Sequence, residues 1–421
     1  MLDSLPAGWT IATVGDLGEV RLGRQRSPQN ETGSYMTPYL RVANVYDGFI
    51  DFSDVLEMNF TPREQEVYGV RNGDILVNEG QSRELVGRCA KYVGESGIYC
   101  FQNTLIRYRC SDLLDADFAY HMFSCWLRHG LFADVARQTT SIAHLGADRF
   151  AAMPMVFPPI REQREIVDVL RCTDEAIGAS RRTVEKAELS RQALVSRLLT
   201  AGLSASGFRE EYRGSSRLPL GWQRISIGDF AQVRRGASPR PIDDPAWFSD
   251  SGPGWVRIRD VTASGKYLRS TAQRLSPAGV ARSVKVYPGQ VIMSIAATVG
   301  EVIEVDMEAC IHDGFVVIVP DLKVMSPDYL AMLLKFHQSD FVGRGQAGTQ
   351  VNINGDIVKS VAVAVPPVSE QAAIVELVNS WDAQVERAEA SLKKLERVKR
   401  SLADDLLGGR TLVGANRHTR S

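Results

Sequence analysis

The sequence contains no apolar run long enough to cross a bilayer, no C-x-x-C pair and no phosphate-binding glycine motif. Each absence removes a class of function. A membrane helix needs about 20 consecutive apolar residues, so no span is expected. The opening Met1-Leu2-Asp3-Ser4-Leu5-Pro6 lacks a basic segment followed by an apolar one, so no secretory signal is expected either. The six cysteines (Cys89, Cys100, Cys110, Cys125, Cys172, Cys310) read as reduced thiols of a cytoplasmic protein rather than a disulfide or zinc framework. The six histidines are scattered without ligand spacing, and no metal site is expected.

Catalytic signatures are missing as well. There is no G-x-x-x-x-G-K-[ST], no G-x-G-x-x-G after a strand, no Asn-Pro-Pro-Tyr or Asp-Pro-Pro-Tyr, no G-x-S-x-G and no H-E-x-x-H. The fragment Pro320-Asp321-Leu322-Lys323 has a nuclease-like look but reads as a turn ahead of the helix start at Ser326-Pro327-Asp328. No catalytic residue is assigned, and the chain is expected not to be an enzyme by itself.

What is present is a repeat in an ordinary globular composition: 421 residues, 44% hydrophobic and 24% charged, enough for two to four buried cores. Leu5-Pro6-Ala7-Gly8-Trp9 returns as Leu218-Pro219-Leu220-Gly221-Trp222. In the same order, Arg21-x-Gly23 returns as Arg234-x-Gly236, and Tyr39-Leu40-Arg41-Val42-x-x-Val45 as Trp255-Val256-Arg257-Ile258-x-x-Val261. Gly73-Asp74-Ile75-Leu76 is answered by Gly289-Gln290-Val291-Ile292, and Pro158-Pro159-Ile160-x-Glu162-Gln163 by Pro366-Pro367-Val368-x-Glu370-Gln371. The chain is a tandem duplication of a unit of roughly 210 residues. The first part of each unit is β-rich with some helix; the part after each Pro-Pro is an unbroken run of helix formers.

Those two runs carry a coiled-coil seam. Trp381, Val385, Ala388, Leu392, Leu395, Lys399, Leu402 and Leu406 alternate steps of four and three, and Ile177, Val184, Leu194 and Leu198 keep the same phase 208 residues earlier. Forty helical residues make a rod of roughly 60 Å. If the second helix returns along the first, both seams are buried and two similar domains are held apart, related by a pseudo-two-fold axis. Side-chain size suggests a register in which Arg191 meets Ala388, Lys399 meets Ser180, Val184 meets Leu395, Ile177 meets Leu402 and Leu198 meets Trp381. The competing reading packs each helix on its own domain as an amphipathic surface helix.

Two divergent units opening Leu-Pro-x-Gly-Trp, each closing Pro-Pro-[Ile/Val]-x-Glu-Gln before a long helix, resemble the specificity subunit of type I restriction–modification enzymes over almost the entire chain. The resemblance implies an α+β fold: two tandem similar α/β target-recognition domains separated by a long antiparallel two-helix coiled coil, pseudo-two-fold. The expected segments are 1–160 and 218–367 for the recognition domains, 161–200 and 368–409 for the helices, 201–217 for a linker and 410–421 for a tail. It implies that each domain reads half of a split, asymmetric double-stranded DNA site. The helices then set the unread gap and dock two methyltransferase subunits, with restriction–translocase subunits joining for cleavage. No cofactor is expected in this chain; S-adenosylmethionine, ATP and Mg belong to the partners. A coiled-coil protein scaffold without DNA binding is the alternative.

Charge does not advertise DNA: the total is −1, with −5 over residues 1–160 and +2 over 214–368, so a DNA face must be built locally. Base reading calls for forked donors and acceptors on loops. Three polar groups recur at equivalent places. The first is Arg21, Arg24, Gln25, Arg26 and Asn30, answered by Arg234, Arg235 and Arg240, with Gly23 and Gly236 suggesting flexible loops. The second is Asn78, Gln81 and Arg83, answered by Ser294 and Thr298. The third is Gln138, Thr139, Ser141 and His144, answered by Gln346, Thr349, Gln350 and Asn352.

Overall fold

The duplicated sequence folds twice. The computed structural model describes residues 5–138, 142–203, 207–210, 217–343 and 352–413. The chain divides into two units, Met1–Arg182 with Ala390–Ser421, and Thr183–Glu389, so that the cut falls inside both long helices, Ile160–Ala201 and Val368–Leu407.

The first unit is built on a four-stranded sheet, in the order Gly18–Leu22, Leu105–Cys110, Ile75–Asn78, Cys89–Lys91, all neighbours antiparallel. Ile75–Asn78 is apolar without alternation until its last residue because both of its faces are covered. Ile75 and Val77 enter a core with Trp9, Phe118, Phe123 and Trp126, while Leu76 enters a second core with Leu40, Val45 and Phe101. The second core is closed by the sheet Leu56–Asn59, Met36–Leu40, Cys100–Phe101. The left-handed Gly73 (φ 90°) turns the chain into the central strand, and Asp74 fixes the turn by accepting from the Arg71 N–H at 2.7 Å.

The second unit repeats the plan. Ala231–Arg235, Phe315–Pro320, Val291–Ser294 and Val302–Val305 form the corresponding sheet, extended by Tyr267–Leu268. Gly289 (φ 83°) takes the place of Gly73, and Gln290 accepts from the Tyr287 N–H at 3.1 Å as Asp74 does from Arg71. The helix expected within each β-rich part comes as two pieces: Ala116–Arg128 then Leu131–Val135, and Pro327–Phe336 then Gln338–Gly343. Part of the expected linker pairs instead, Phe208–Glu210 running antiparallel to Arg217–Pro219. Asp321 accepts from the Lys323 N–H at 3.0 Å, the turn read from the sequence.

The repeated motifs meet in space. Trp9 Nε1 donates to Glu162 at 3.2 Å, and Trp222 Nε1 donates to Glu370 at 3.0 Å. The next residue in each motif is a fully buried glutamine. Gln163 donates to the Leu113 and Pro158 carbonyls (2.9 and 2.8 Å) and accepts from the Asp115 N–H (2.8 Å). Gln371 donates to the Val324 and Pro366 carbonyls (2.7 and 2.9 Å) and accepts from the Ser326 N–H (2.9 Å). Asp115 and Ser326 are themselves N-caps of the helices Ala116–Arg128 and Pro327–Phe336. One amide therefore joins a strand end, a loop and two helix starts. Apolar burial fixes the same helices: Ile166, Leu170, Leu406 and Leu407 lie in the first unit's core, and Leu198, Leu199, Ile374 and Val378 in the second's.

Within each unit the helical segments run antiparallel. In the first, Asp174 pairs with Lys399 and Arg181 with Glu396 (3.0 Å); in the second, Arg191 pairs with Asp382. The seam residues Ile177, Val184, Leu198, Val385 and Leu406 are buried, and Leu194, Trp381, Leu392, Leu395 and Leu402 are half-buried. The register expected from side-chain size is corrected. Lys399 reaches Asp174 rather than Ser180, and Arg191 reaches Asp382 rather than Ala388, each six positions away. Each of these basic residues meets a carboxylate rather than a small residue. Gln163→Ala or Gln371→Ala leaves buried partners unmatched and is expected to cost about 2–4 kcal/mol. Trp9→Phe, which drops one bond and keeps most of the ring, is expected to cost about 1 kcal/mol. Urea midpoints of the variants check this ordering.

Candidate nucleic-acid interface

Strand pairing brings the first two polar groups of each unit to one end of its main sheet. In the first unit, Leu22 lies opposite Ile106, Asn78 opposite Leu105 and Val77 opposite Cys89, so the loops leaving these strands share an edge. In the second, Arg235 lies opposite Val316, Ser294 opposite Phe315 and Met293 opposite Val302.

Backbone hydrogen bonds then chain the loops together. Gly23 N donates to Leu105 O (3.1 Å), Arg24 N to Phe101 O (3.1 Å) and Glu79 N to Thr104 O (3.0 Å). The equivalents are Gly236 N to Phe315 O (2.8 Å), Ala237 N to Ile311 O (3.2 Å) and Ile295 N to Gly314 O (2.8 Å). The third group joins through Ala143 opposite Gln81 in a small sheet, and through Ile353 N to Ile295 O (2.9 Å). Gly23 and Gly236 are not flexible hinges. A Cβ at either would stand 2.2 Å from a carbonyl oxygen, of Gln102 or of His312. Glycine is required there by close approach.

That contact exposes a segment the sequence reading missed: Gln102-Asn103-Thr104 and its counterpart His312-Asp313-Gly314, at the centre of each loop set. The signal was available, since Cys100-Phe101 precedes one and Cys310-Ile311 the other. In the second unit Asp313 is a hub. Its carboxylate accepts from Ser238 and Arg240 (both 2.8 Å), and its carbonyl accepts from Arg235 Nε (2.8 Å). Beside it, burial pushes the His312 imidazole below its ordinary value. Arg257, Arg240 and Arg235 act in the same direction, against the pull of Asp313. Its Nδ1 accepts from Gly314 N at 2.9 Å and lies 3.3 Å from Asp313 Oδ1.

The individual residues divide into three kinds. Exposed ones are Arg21, Gln25, Arg26, Arg83, Gln138, Arg234, Arg235, Arg240, Thr298 and Asn352; Asn30, Gln81 and His144 are half-buried. Arg21 pairs with Glu19 at 2.6 Å, Arg26 with Glu31 at 3.1 Å, and His144 Nδ1 lies 3.0 Å from Glu79. Exposed pairs of this sort are worth at most about 1 kcal/mol, so a phosphate can replace the carboxylate at small cost. Thr139, Ser141, Gln346, Thr349 and Gln350 lie outside the described residues.

Three expectations are corrected. Arg24 points inward: its guanidinium donates to the Asn59 carbonyl, pairs with Glu64 at 2.8 Å and covers the Phe60 ring at 5.0 Å. Asn78 is fully buried, with its Nδ2 donating to Val45 O at 3.4 Å. Ser294 is buried too, donating to Thr298 O and accepting from the Glu301 N–H at 2.9 Å. Asn78 and Ser294 end strands covered on both faces, so their polar groups fold the loop tip and cannot face DNA.

With this geometry in hand, comparison with known proteins is specific. The family model described as type I restriction modification DNA specificity domain matches residues 6–188 and again 219–397. A type I restriction enzyme specificity subunit designated MjaX, from Methanocaldococcus jannaschii, is 20% identical over 98% of this chain and 96% of its own. The MjaVIII specificity subunit of the same organism is 19% identical over 97% and 94%. Among solved structures, a chain from work on complex assembly and conformational transition of the type I R-M system superposes with a TM-score of 0.69 at 18% identity, covering 96% of this chain and 98% of that one. The HsdS subunit from Thermoanaerobacter tengcongensis gives 0.55 at 17%, covering 97% and 99%. Two matches to one domain, each coextensive with half of a duplicated chain, show that the protein belongs to the type I restriction–modification DNA specificity family.

Proposed function

We propose that each unit reads one half of a split, asymmetric double-stranded DNA site through the edge where its three loop groups converge. The observation that carries this reading is the duplication of that edge. The same backbone bonds join the loops in both units, while the side chains they present differ: Gln102-Asn103-Thr104 against His312-Asp313-Gly314. A common frame with unlike contacts is what two unlike half-sites require.

The chemistry follows from the exposed groups. Arg forks suit guanine O6 and N7, amides such as Asn103 and Gln81 suit adenine, and the remaining cations suit phosphates. The near-neutral total is compatible with this because Arg21, Arg26 and Arg240 are each paired with a carboxylate. The long helices would set the gap between half-sites and dock two methyltransferase subunits. Restriction–translocase subunits would join these for cleavage, with S-adenosylmethionine, ATP and Mg bound in the partners. Recognition is this chain's part, and methyl transfer and strand cleavage are theirs. No helix among the described residues is long and apolar enough to cross a membrane.

Arg26→Ala and Arg83→Ala, both at exposed positions, are expected to leave stability within about 0.5 kcal/mol. Each is expected to weaken DNA binding by the assembled methyltransferase and lower its salt slope by about 1 where a phosphate contact is lost. Arg24→Ala is expected to do the reverse, lowering the unfolding midpoint first. Arg240→Ala with His312→Ala is expected to relax sequence preference in one half-site only, read by methylation of a library randomised in each half separately. Equal relaxation in both halves overturns the assignment of one unit to one half.

A further inference from the structure

In the first unit, the helix Ala116–Arg128 ends at His129, and its last turn faces Asp404 on the second long helix. Cys125 Sγ lies 3.3 Å from Asp404 Oδ1, and His129 Nε2 lies 3.2 Å from Asp404 Oδ2. One ligand atom from each of the three falls within 4.8 Å of the others. Cys125 and His129 are four residues apart, which sets them on one helix face. Arg128 holds Asp404 Oδ1 at 3.0 Å from outside the trio.

Helix packing does not demand this set of groups. Counting from the N-caps Asp115 and Ser326, the residue matching Cys125 in the second unit is Phe336, and the shift of 208 between the long helices matches Asp404 to Ser196. Phe336 and Ser196 line one groove of the second unit. The positions matching Cys125 and Asp404 thus carry neither thiol nor acid, and the position matching His129 is Asp340.

We propose that Cys125, His129 and Asp404 bind a thiophilic divalent cation, Zn2+, with water as the fourth ligand, pinning the last turns of the second long helix to the recognition domain of the first unit. One sulfur, one imidazole nitrogen and one carboxylate oxygen suit Zn2+ and not Mg2+ or Ca2+, which take oxygen ligands. With bonds of about 2.0–2.3 Å, tetrahedral ligand atoms lie roughly 3.3–3.8 Å apart, so three groups already within 4.8 Å of one another close on the ion by side-chain shifts of about 1 Å. The half-exposed His129 leaves a path for entry.

Binding rearranges bonds in a defined way. The Cys125 S–H proton leaves to solvent, its hydrogen bond to Asp404 gives way to a sulfur–zinc bond, and the His129 Nε2 lone pair coordinates the ion. Arg128 stays on Oδ1 and orients the carboxylate.

The test uses the full-length chain, stripped of metal and titrated with Co2+ as a spectroscopic stand-in. One equivalent is expected to give thiolate-to-cobalt charge-transfer absorption, and Zn2+ is expected to raise Tm with concentration. Cys125→Ser is expected to abolish the band. His129→Ala, a change at a half-exposed position that leaves the core intact, is expected to weaken binding at least about tenfold. Absence of the band in the unaltered chain overturns the proposal, as does a band that persists in Cys125→Ser or an unchanged affinity in His129→Ala.

Discussion

A buried glutamine at the start of each long helix carries the architecture. Gln163 and Gln371 each make three hydrogen bonds, to the Pro-Pro strand end and to the loop that caps the next helix. The glutamine side chains are fully buried, and no apolar side chain can replace the amide in these bonds. The tryptophan–glutamate bond beside it brings in the Leu-Pro-x-Gly-Trp motif at the other end of the domain. The direction in which each helix leaves its domain is thus fixed by a polar joint and sealed by leucines. A recognition edge on one part of such a domain keeps a defined relation to the helix that leaves it.

The recognition edges obey a second constraint, that of covered strands. Because Ile75–Asn78 and Val291–Ser294 are buried on both faces, variation among recognition surfaces is confined to the loops beyond their ends. There the frame is made of backbone bonds and of glycines pressed against carbonyls, which are indifferent to side-chain identity. This explains how two copies keep the same loop arrangement while exchanging Gln102-Asn103-Thr104 for His312-Asp313-Gly314. It also explains why net charge is uninformative: the arginines at the edge are matched by nearby carboxylates such as Glu31 and Asp313.

Much of this was legible in the sequence. The repeat, the helices after Pro158-Pro159 and Pro366-Pro367, and the seam positions could be read because heptad spacing and motif order survive divergence. What could not be read depended on direction and depth. Alternation does not say that a polar residue ending a strand, such as Asn78 or Ser294, turns inward. Nor does a cluster of arginines say that Arg24 covers Phe60 while Arg26 stays in solvent. The helix register escaped size-matching because the partners of Lys399 and Arg191, Asp174 and Asp382, lie off the apolar seam. Asp404 meets Cys125 across most of the chain length, so no local spacing could announce that cluster.

The central claim is that two anchored reading heads address two short sequences at one fixed separation. Its most direct measurement is selection of bound DNA from a random pool by the chain assembled with its methyltransferase partner, followed by sequencing. The account predicts two unlike blocks of preferred bases divided by a stretch of constant length with no preference. A single contiguous block, or two blocks at variable spacing, would contradict it.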